Sequence, residues 1–413
     1  MKKINEQEII ELGDKLFKTP ELGYKEYKTK EILVDYFKKH GLTISNECFE
    51  TAFSVSIGKG KPHIGLIAEL DAIPTLGHKY ANKNDNNAAH ACGHSSQCAI
   101  MATVLTTLAK DNFKGKVTLF FTPGEEYTDI DYRHKLIKEK KIKYIGGKIN
   151  MLTAGLFEDC DIIYHLHAMG ESKYKFSLNA DLSGFVYKRI TFKGVAAHAA
   201  VAPHLGVNAL NEYALFNDGL NMLRETFKEE DYIRVHGYIS EGGQTVNSIP
   251  SRVVYECYVR SLNPKALVKV SNKVDNLAKC CAKALGGACN IQTSPGYLPL
   301  TQNREISKVI EKEMLKYASS EEIENGNPSM AAGDIGDISI FKPCVQIGYG
   351  GFTGIPHGKT FMCVNPKLTY IETANVVYKS VLDLLNNPEL IKKIAKEYKP
   401  RMSKEEYLDY INS

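Results

Sequence analysis

The chain has 413 residues, 43% of them hydrophobic and 24% charged, with a formal net charge of +4. That length exceeds what one hydrophobic core usually serves, so two or more domains are expected, and the nearly balanced charge offers no footprint for nucleic acid. No apolar stretch is long enough for a membrane span or a signal-peptide core, which places the chain in the cytoplasm as an expectation, away from membranes.

The first seventeen residues carry Ile9, Ile10, Leu12, Leu16 and Phe17 near a 3.6-residue spacing and predict a helix, and KTKEILVDYFKKHGL predicts a second. Three short apolar runs follow, HIGLIAELDAIP, KVTLFFTPGEE and DIIYHLHAMG, each reading as a strand of a mostly buried sheet. Between the first two lies SSQCAIMATVLTTLAKD, a helix with a serine able to cap its first turn. Strand, helix, strand in that order predicts an α/β layer with a mostly parallel sheet, whose ligand sites form at the carboxyl ends of the strands.

From Gly184 the texture changes. YKRITFKGVAAHAAVAP has strand character, NALNEYALFNDGLNMLRETF reads as a helix, YIRVHGYIS and RVVYECYVRSL as strands, PKALVKVSNKVDNLAKCCAKAL as a helix and CNIQTSP as a last strand. That is a βαββαβ-like α+β unit, placed at 184–296 and inserted into a discontinuous domain of 1–183 and 297–413. Helices resume in REISKVIEKEMLKYA and LTYIETANVVYKSVLDLL. Ten dispersed cysteines read as thiols, and the adjacent pair Cys280 and Cys281 as core. Basic runs such as KLIKEKKIKY read as solvated faces, and KYANKNDNNA as a mobile loop.

Several polar groups fall at predicted strand ends. In AAHACGHSSQ, one glycine separates Cys92 from His94 in a turn feeding a helix, so both side chains can aim at one point. Glu125 and Glu126 follow an apolar run, where one carboxylate can face a cation and the other a water beside it. His165 and His167, two apart on a strand, share a face. His357 sits in the glycine-rich GGFTGIPHGKTF. Each has a bland reading: a buried turn, a surface acid pair, hydrogen-bonded core histidines, a loop residue. A thiol, imidazoles and a carboxylate together fit borderline-soft transition metals better than magnesium or calcium.

The order ELDAIP, ACGH, GEE, DIIYHLH, KGVAAHAAVAPH, VNSIPSRVVYECYVR, GDIGDIS and a late PHGK resembles the di-metal aminoacylase and carboxypeptidase superfamily. More narrowly it resembles the amidohydrolase branch that contains auxin-conjugate hydrolases, hippurate hydrolases and aminobenzoyl-glutamate hydrolases. The resemblance implies a di-metal exopeptidase-like catalytic domain with an inserted lid and dimerisation domain. It implies that Cys92, His94, Glu126, His167 and His357 hold two divalent ions (zinc, manganese or cobalt) and that Glu125 takes the proton of a water bridging them. His198 matches a histidine that crosses a dimer interface to polarise the scissile carbonyl, and Asn247 and Arg260 match positions that hold a substrate carboxylate or line its pocket. The implied substrate is an N-acyl, N-aroyl or N-aminoacyl amino acid, and the implied assembly a homodimer. Without the resemblance, His198 reads as a cap, Asn247 as a turn residue and Arg260 as a surface charge.

The chain departs from that pattern at Ser95-Ser96-Gln97, where many relatives have Asp-Gly-His, and at Ala331-Ala332-Gly333, where small hydroxyl-bearing residues are usual. Glu69 stands where the peptidase branch has a ligand histidine, and Asp71 reads as a residue behind the ligands rather than among them. The segment GGKINMLTAGLFEDCDIIYHLHAMG leans toward the aminobenzoyl-glutamate or acyl-dipeptide subgroup. Two other readings compete: a metal-free cysteine hydrolase using Cys92 with His94 or His90 as base, and a relative that keeps the fold only as a binding or regulatory module.

Overall fold

The structure is a computed structural model that describes residues 2–412. Four mostly buried segments, Gly115–Thr122, His63–Glu69, Ile162–Ala168 and Cys344–Tyr349, lie side by side in that order and run parallel. Their near-continuous apolar character is what a sheet covered on both faces requires. Antiparallel strands extend it at both sides: Ala52–Lys59 and Ile44–Cys48 beyond Gly115–Thr122, and Phe176–Leu178 beyond Cys344–Tyr349, the last paired in parallel with Ile323–Asn325. The result is a mixed α/β unit built on an eight-stranded sheet, mainly parallel at its centre.

The helix His94–Leu108 joins two of the central strands, and every one of its residues is buried, packed among the helices Glu6–Phe17 and Thr373–Leu385 and the strand His63–Glu69. Sequence suggested a serine cap for this helix. Its cap is instead Gly93 in the left-handed region, φ 86°, and Ser96 Oγ donates back to the Gly93 carbonyl. Because the central strands are parallel, Glu69, Thr122 and Ala168 all end at one edge, and the segments that follow them gather there.

Contacts divide the chain into two units: 1–181, 301–328 and 337–400 in the first, and 182–300, 329–336 and 401–413 in the second. The second contains the elements Gly184–Lys193, Ala209–Arg224, Arg234–Glu241, Arg252–Ser261, Pro264–Ala284 and Ala288–Pro295 in β-α-β-β-α-β order. Its four strands form an antiparallel sheet, with Arg252–Ser261 and Gly184–Lys193 at the centre. Lys188, fully buried there, pairs with Asp275 at 2.7 Å and donates to Thr293.

The tail from 401 onward, expected with the first unit, lies with the second: Met402, Tyr407, Tyr410 and Ile411 are buried, and the Tyr410 hydroxyl lies within hydrogen-bonding distance of the Phe185 and Gly296 carbonyls, at 3.2 and 3.4 Å. Strand structure after Lys193 gives way to isolated bridges at Val195 and His198. Cys281 is buried but Cys280 is exposed, since the two lie on different sides of a helix with one apolar face. The segment read as a mobile loop is tied down: Asn82 pairs with Ala88, and Ile73–Pro74 with Ala88–Ala89. Among the described residues, no helix is long and apolar enough to cross a membrane.

Glu26, fully buried at the head of the helix Tyr27–Lys39, accepts from Gly124 N at 3.0 Å and from Thr51 Oγ1 at 2.5 Å. Burial, with the charge of Asp71 second, pushes its pKa up to about 8 from 4.5. The folded chain thus holds a proton that the unfolded chain releases, and this group's stabilisation is full below about pH 4.5 and lost as pH rises through about 8. Glu26→Gln cannot ionise, so its melting temperature should gain on wild type progressively from pH 5 to pH 8 by roughly the loss of that slope; a difference independent of pH in thermal melts contradicts this.

Candidate metal centre

Local backbone needs bring the polar groups to the strand ends. At Gly93 a Cβ would come 2.4 Å from the Ala168 side chain, so glycine allows the turn to lie against the strand Ile162–Ala168. That turn carries Cys92 and starts a helix at His94, directing both into one space. The Glu125-Glu126 turn is held from beneath by Arg133, a fully buried guanidinium that donates to Gly124 O at 3.0 Å, Ile145 O at 3.3 Å and Glu126 O. Asp71 Oδ2 accepts from Glu126 N at 2.9 Å. His357 is brought in by its own backbone, whose N–H donates to Ala91 O at 2.7 Å with φ at 67°.

Within the first unit, three groups of possible donors have atoms lying within 4.8 Å of one another: Cys92, His94 and His167; Cys92, Glu126 and His357; His94, Glu125 and Glu126. Cys92 Sγ is 3.5 Å from His167 Nε2, and Glu126 Oε1 is 3.0 Å from His357 Nε2. Cys92 belongs to the first two triplets, so a thiolate there could bridge two cations. His94 presents Nε2 inward because Nδ1 donates to Asp71 O at 2.8 Å, and His167 does so because Nδ1 donates to Ala168 O at 2.8 Å. Oxygen acceptors behind the imidazoles in this way fix ring and tautomer for a metal.

His94 Nε2 and Glu126 Oε1 are buried without a hydrogen-bond partner. An orphaned buried polar atom costs about 1–3 kcal/mol, and a shared cation would answer both. Sulfur, nitrogen and oxygen donors in this mixture fit zinc, cobalt or manganese. The protonation pattern agrees. Burial, with Glu126 second, pushes the Cys92 thiol well above its ordinary value, and His94 is raised well above its own because Glu69 and Cys92 outweigh the opposing burial. His167 is pushed down to about 4 by burial, while the Glu126 carboxylate raises His357. A cation would displace the protons on Cys92 and His94.

Behind the ligand candidates lies a buried polar layer. Glu69, 1% exposed, has Oε1 at 2.6 Å from Lys148 Nζ and 3.1 Å from His165 Nε2, and Oε2 at 3.2 Å from His94 Nε2. The Gln97 carboxamide nitrogen lies 3.1 Å from Glu69 Oε2 and 3.0 Å from His165 Nε2. His165 therefore turns away from Cys92 into this layer, with Nδ1 donating to Gln346 at 2.9 Å. Lys148 and, despite opposing burial, the two imidazoles hold the Glu69 carboxyl well below the usual range.

Sequence reading passed over Arg133 and Lys148. Arg133 lies just ahead of the charged run KLIKEKKIKY and carries no signal of its own; Lys148, in GGKINM, stands out only as a lysine beside apolar residues of the helix Gly147–Thr153.

The remaining predicted residues belong to the second unit. His198 is exposed, its Nδ1 accepting from Val201 N at 3.1 Å, and Asn247 sits beside it, with Asn247 O accepting from Ala199 N at 2.9 Å. Arg260 donates Nη1 to Met330 O at 2.8 Å and lies over the rings of Phe185 and Tyr258.

A mainly parallel sheet with thiol, imidazole and carboxylate donors converging at its strand ends is the plan of a metallopeptidase-type hydrolase. The chain belongs to peptidase family M20/M25/M40, whose family model matches residues 65–383, and it is a hydrolytic enzyme. It is 26% identical to a Mus musculus Xaa-Arg dipeptidase over 96% of this chain and 90% of that one. It is 26% identical to a p-aminobenzoyl-glutamate hydrolase chain of Escherichia coli over 67% of this chain and 55% of that one. Its fold matches a Bacillus subtilis protein described as a dinuclear metal-binding peptidase of the M20 family, with a TM-score of 0.74 at 17% identity over 92% of this chain and 98% of that one.

Gly93→Ala should cost about 1–3 kcal/mol through the left-handed backbone and the collision with Ala168, and should displace Cys92 and His94 together. Thermal melting and metal content by mass spectrometry should fall in concert; a stable variant with full metal content contradicts the packing argument.

Proposed function

We propose that this enzyme is a two-cation amidohydrolase that cleaves the amide of an N-acyl, N-aroyl or N-aminoacyl amino acid and releases a free amino acid. The observation that carries the reading is the sharing of Cys92 between two donor triplets, with Glu125 within 4.8 Å of both His94 and Glu126. Cys92, His94 and His167 would hold one divalent ion, and Cys92, Glu126 and His357 the other, drawn from zinc, manganese or cobalt. When bound, the pair lowers the pKa of water and takes up charge developing on the amide oxygen.

Glu125 is the general base: it accepts the water's proton and passes it to the leaving nitrogen, so one carboxylate serves both halves of the reaction. His198 polarises the carbonyl of a substrate bound by a second copy of the chain. Its Nδ1 accepts a backbone N–H, so in the neutral ring the hydrogen sits on Nε2, where it can donate to a carbonyl oxygen. Asn247 lies beside His198 and Arg260 keeps further guanidinium N–H groups beyond the one given to Met330, which suits both to a substrate carboxylate. The relatives named above are named for hydrolysis of a dipeptide and of an aroyl-amino acid, which supports this substrate class.

Homodimerisation through the second unit is supported by its edge strand Arg234–Glu241, which is almost wholly exposed, and by exposed apolar side chains at Met222, Tyr238 and Val246. We place the enzyme in the cytoplasm, where ten unpaired cysteines are at home.

A metal-free thiol mechanism is disfavoured by the same geometry. A nucleophilic cysteine needs a lowered pKa, yet Cys92 is raised, and His90, the alternative base, is buried with both nitrogens unpartnered and pushed down to about 3.

Glu125→Gln should retain wild-type metal content and lower kcat on a responsive N-acyl amino acid or dipeptide by about 10²–10⁴. Unchanged turnover in that variant returns the chain to a binding module or to other chemistry, and activity surviving prolonged chelation but lost on alkylation points to the thiol. Retained kcat in His198→Ala removes the carbonyl role.

A further inference from the structure

The Glu69–Lys148 pair has no part in the mechanism above, yet it is one of the most deeply buried ion pairs in the chain, with side chains 2% and 0% exposed. Taking two charges out of water rarely stabilises a fold more than apolar packing would. Its position suggests what it does instead.

Glu69 Oε2 is 3.2 Å from His94 Nε2, close enough for a hydrogen bond but out of line for one, so Nε2 stays unpartnered. The same combination, a short separation with an orphaned atom, occurs between His357 Nε2 and Glu126 Oε1, at 3.0 Å. A cation on His94 Nε2 at about 2.1 Å lies no farther than about 5.3 Å from Glu69 Oε2, given their 3.2 Å separation. Across such a distance, in a buried site, a full negative charge acts strongly on a divalent ion. Lys148 is bonded to the other oxygen, Oε1, together with His165. The pair therefore turns its negative end toward His94. Gln97 fixes that orientation, its carboxamide oxygen accepting from Glu69 N and its nitrogen lying 3.1 Å from Oε2.

We propose that Glu69, oriented by Lys148 and Gln97, is an electrostatic component of the first cation's site that sets its affinity for the ion without being one of the five ligands. This rests on the two-cation reading above. Glu69 supplies attraction beyond that of Cys92, His94 and His167, and Lys148, on the far oxygen, tempers its charge.

Three variants separate this from a structural role, read by competition of the purified full-length protein with a chromophoric chelator for zinc and by metal content. Glu69→Gln leaves Lys148 facing the cation uncompensated, and should raise the dissociation constant of the weakened site about 10–100-fold. Glu69→Gln combined with Lys148→Met removes both charges and should fall between that variant and wild type. Lys148→Met leaves the carboxylate and should bind zinc at least as tightly as wild type.

Two results overturn the proposal. If the double variant recovers wild-type affinity, Glu69 only neutralises Lys148. If Lys148→Met loosens zinc as much as Glu69→Gln does, the pair merely supports the fold. Should Lys148→Met fail to fold, Glu69→Gln and the double variant still decide between these outcomes. Wild type binding no zinc would instead sink the two-cation reading itself.

Discussion

Unbalanced buried charge governs this molecule. Glu69, Asp71, Cys92, Glu125 and Glu126 are each less than a tenth exposed and crowd the carboxyl ends of three neighbouring strands. Burying even one ionised carboxylate without compensation costs several kcal/mol. A fold with this concentration of acids needs positive charge at the same place, either from fixed side chains or from ions taken up after folding.

The fixed part is small and carefully placed. Arg133 gives Nη1 and Nη2 to backbone carbonyls around the Glu125-Glu126 turn, so it shapes the turn and lends its charge. Lys148 takes one oxygen of Glu69 and leaves the other facing His94. Asp71 engages His94 on one side and Glu126 on the other, which couples two members of the donor triplets. Among the buried atoms left without a partner are His94 Nε2 and Glu126 Oε1, both on members of the donor triplets. On the two-cation reading, the scaffold neutralises part of its periphery and leaves the centre to divalent ions, where attraction to the protein and Lewis acidity toward a substrate would coincide.

Much of this was legible in sequence because it rests on short-range rules. Apolar runs of strand length alternating with a helix announce a parallel sheet, and parallel strands put HLH, GEE and ACGH at one edge whatever the rest of the chain does. What sequence reasoning lost depends on long-range burial. Ala52–Lys59 and Cys344–Tyr349 do alternate apolar with small or polar residues, but that pattern says nothing of which strands flank them, and only the tertiary pairing places one beside Gly115–Thr122 and the other beside Ile162–Ala168. Arg133 and Lys148 are ordinary charges in sequence; only the tertiary structure shows both fully buried. The tail from 401 was misplaced for a similar reason: Tyr407 and Tyr410 look like surface aromatics until the Phe185 and Gly296 carbonyls meet the Tyr410 hydroxyl.

The departures that made the sequence look irregular become consistent once charge is followed. Gln97, in place of the expected histidine, is a neutral side chain long enough to contact Glu69 and His165 together, whereas an imidazole there would add another titratable ring to a layer already holding His94 and His165. A glutamate at 69 brings a charge that must be met, and the lysine of GGKINM, distant in sequence but adjacent in space, meets it. Glu69 and Gln97, which read as separate oddities along the chain, join the inconspicuous Lys148 in one electrostatic unit in the fold. On the two-cation reading, their joint effect would be to place a carboxylate beside the first ion while holding the net fixed charge behind it near zero. That is a different solution from supplying an additional neutral ligand, and under the proposal above it would make the cation's affinity depend on a pair of side chains that never need to touch the substrate.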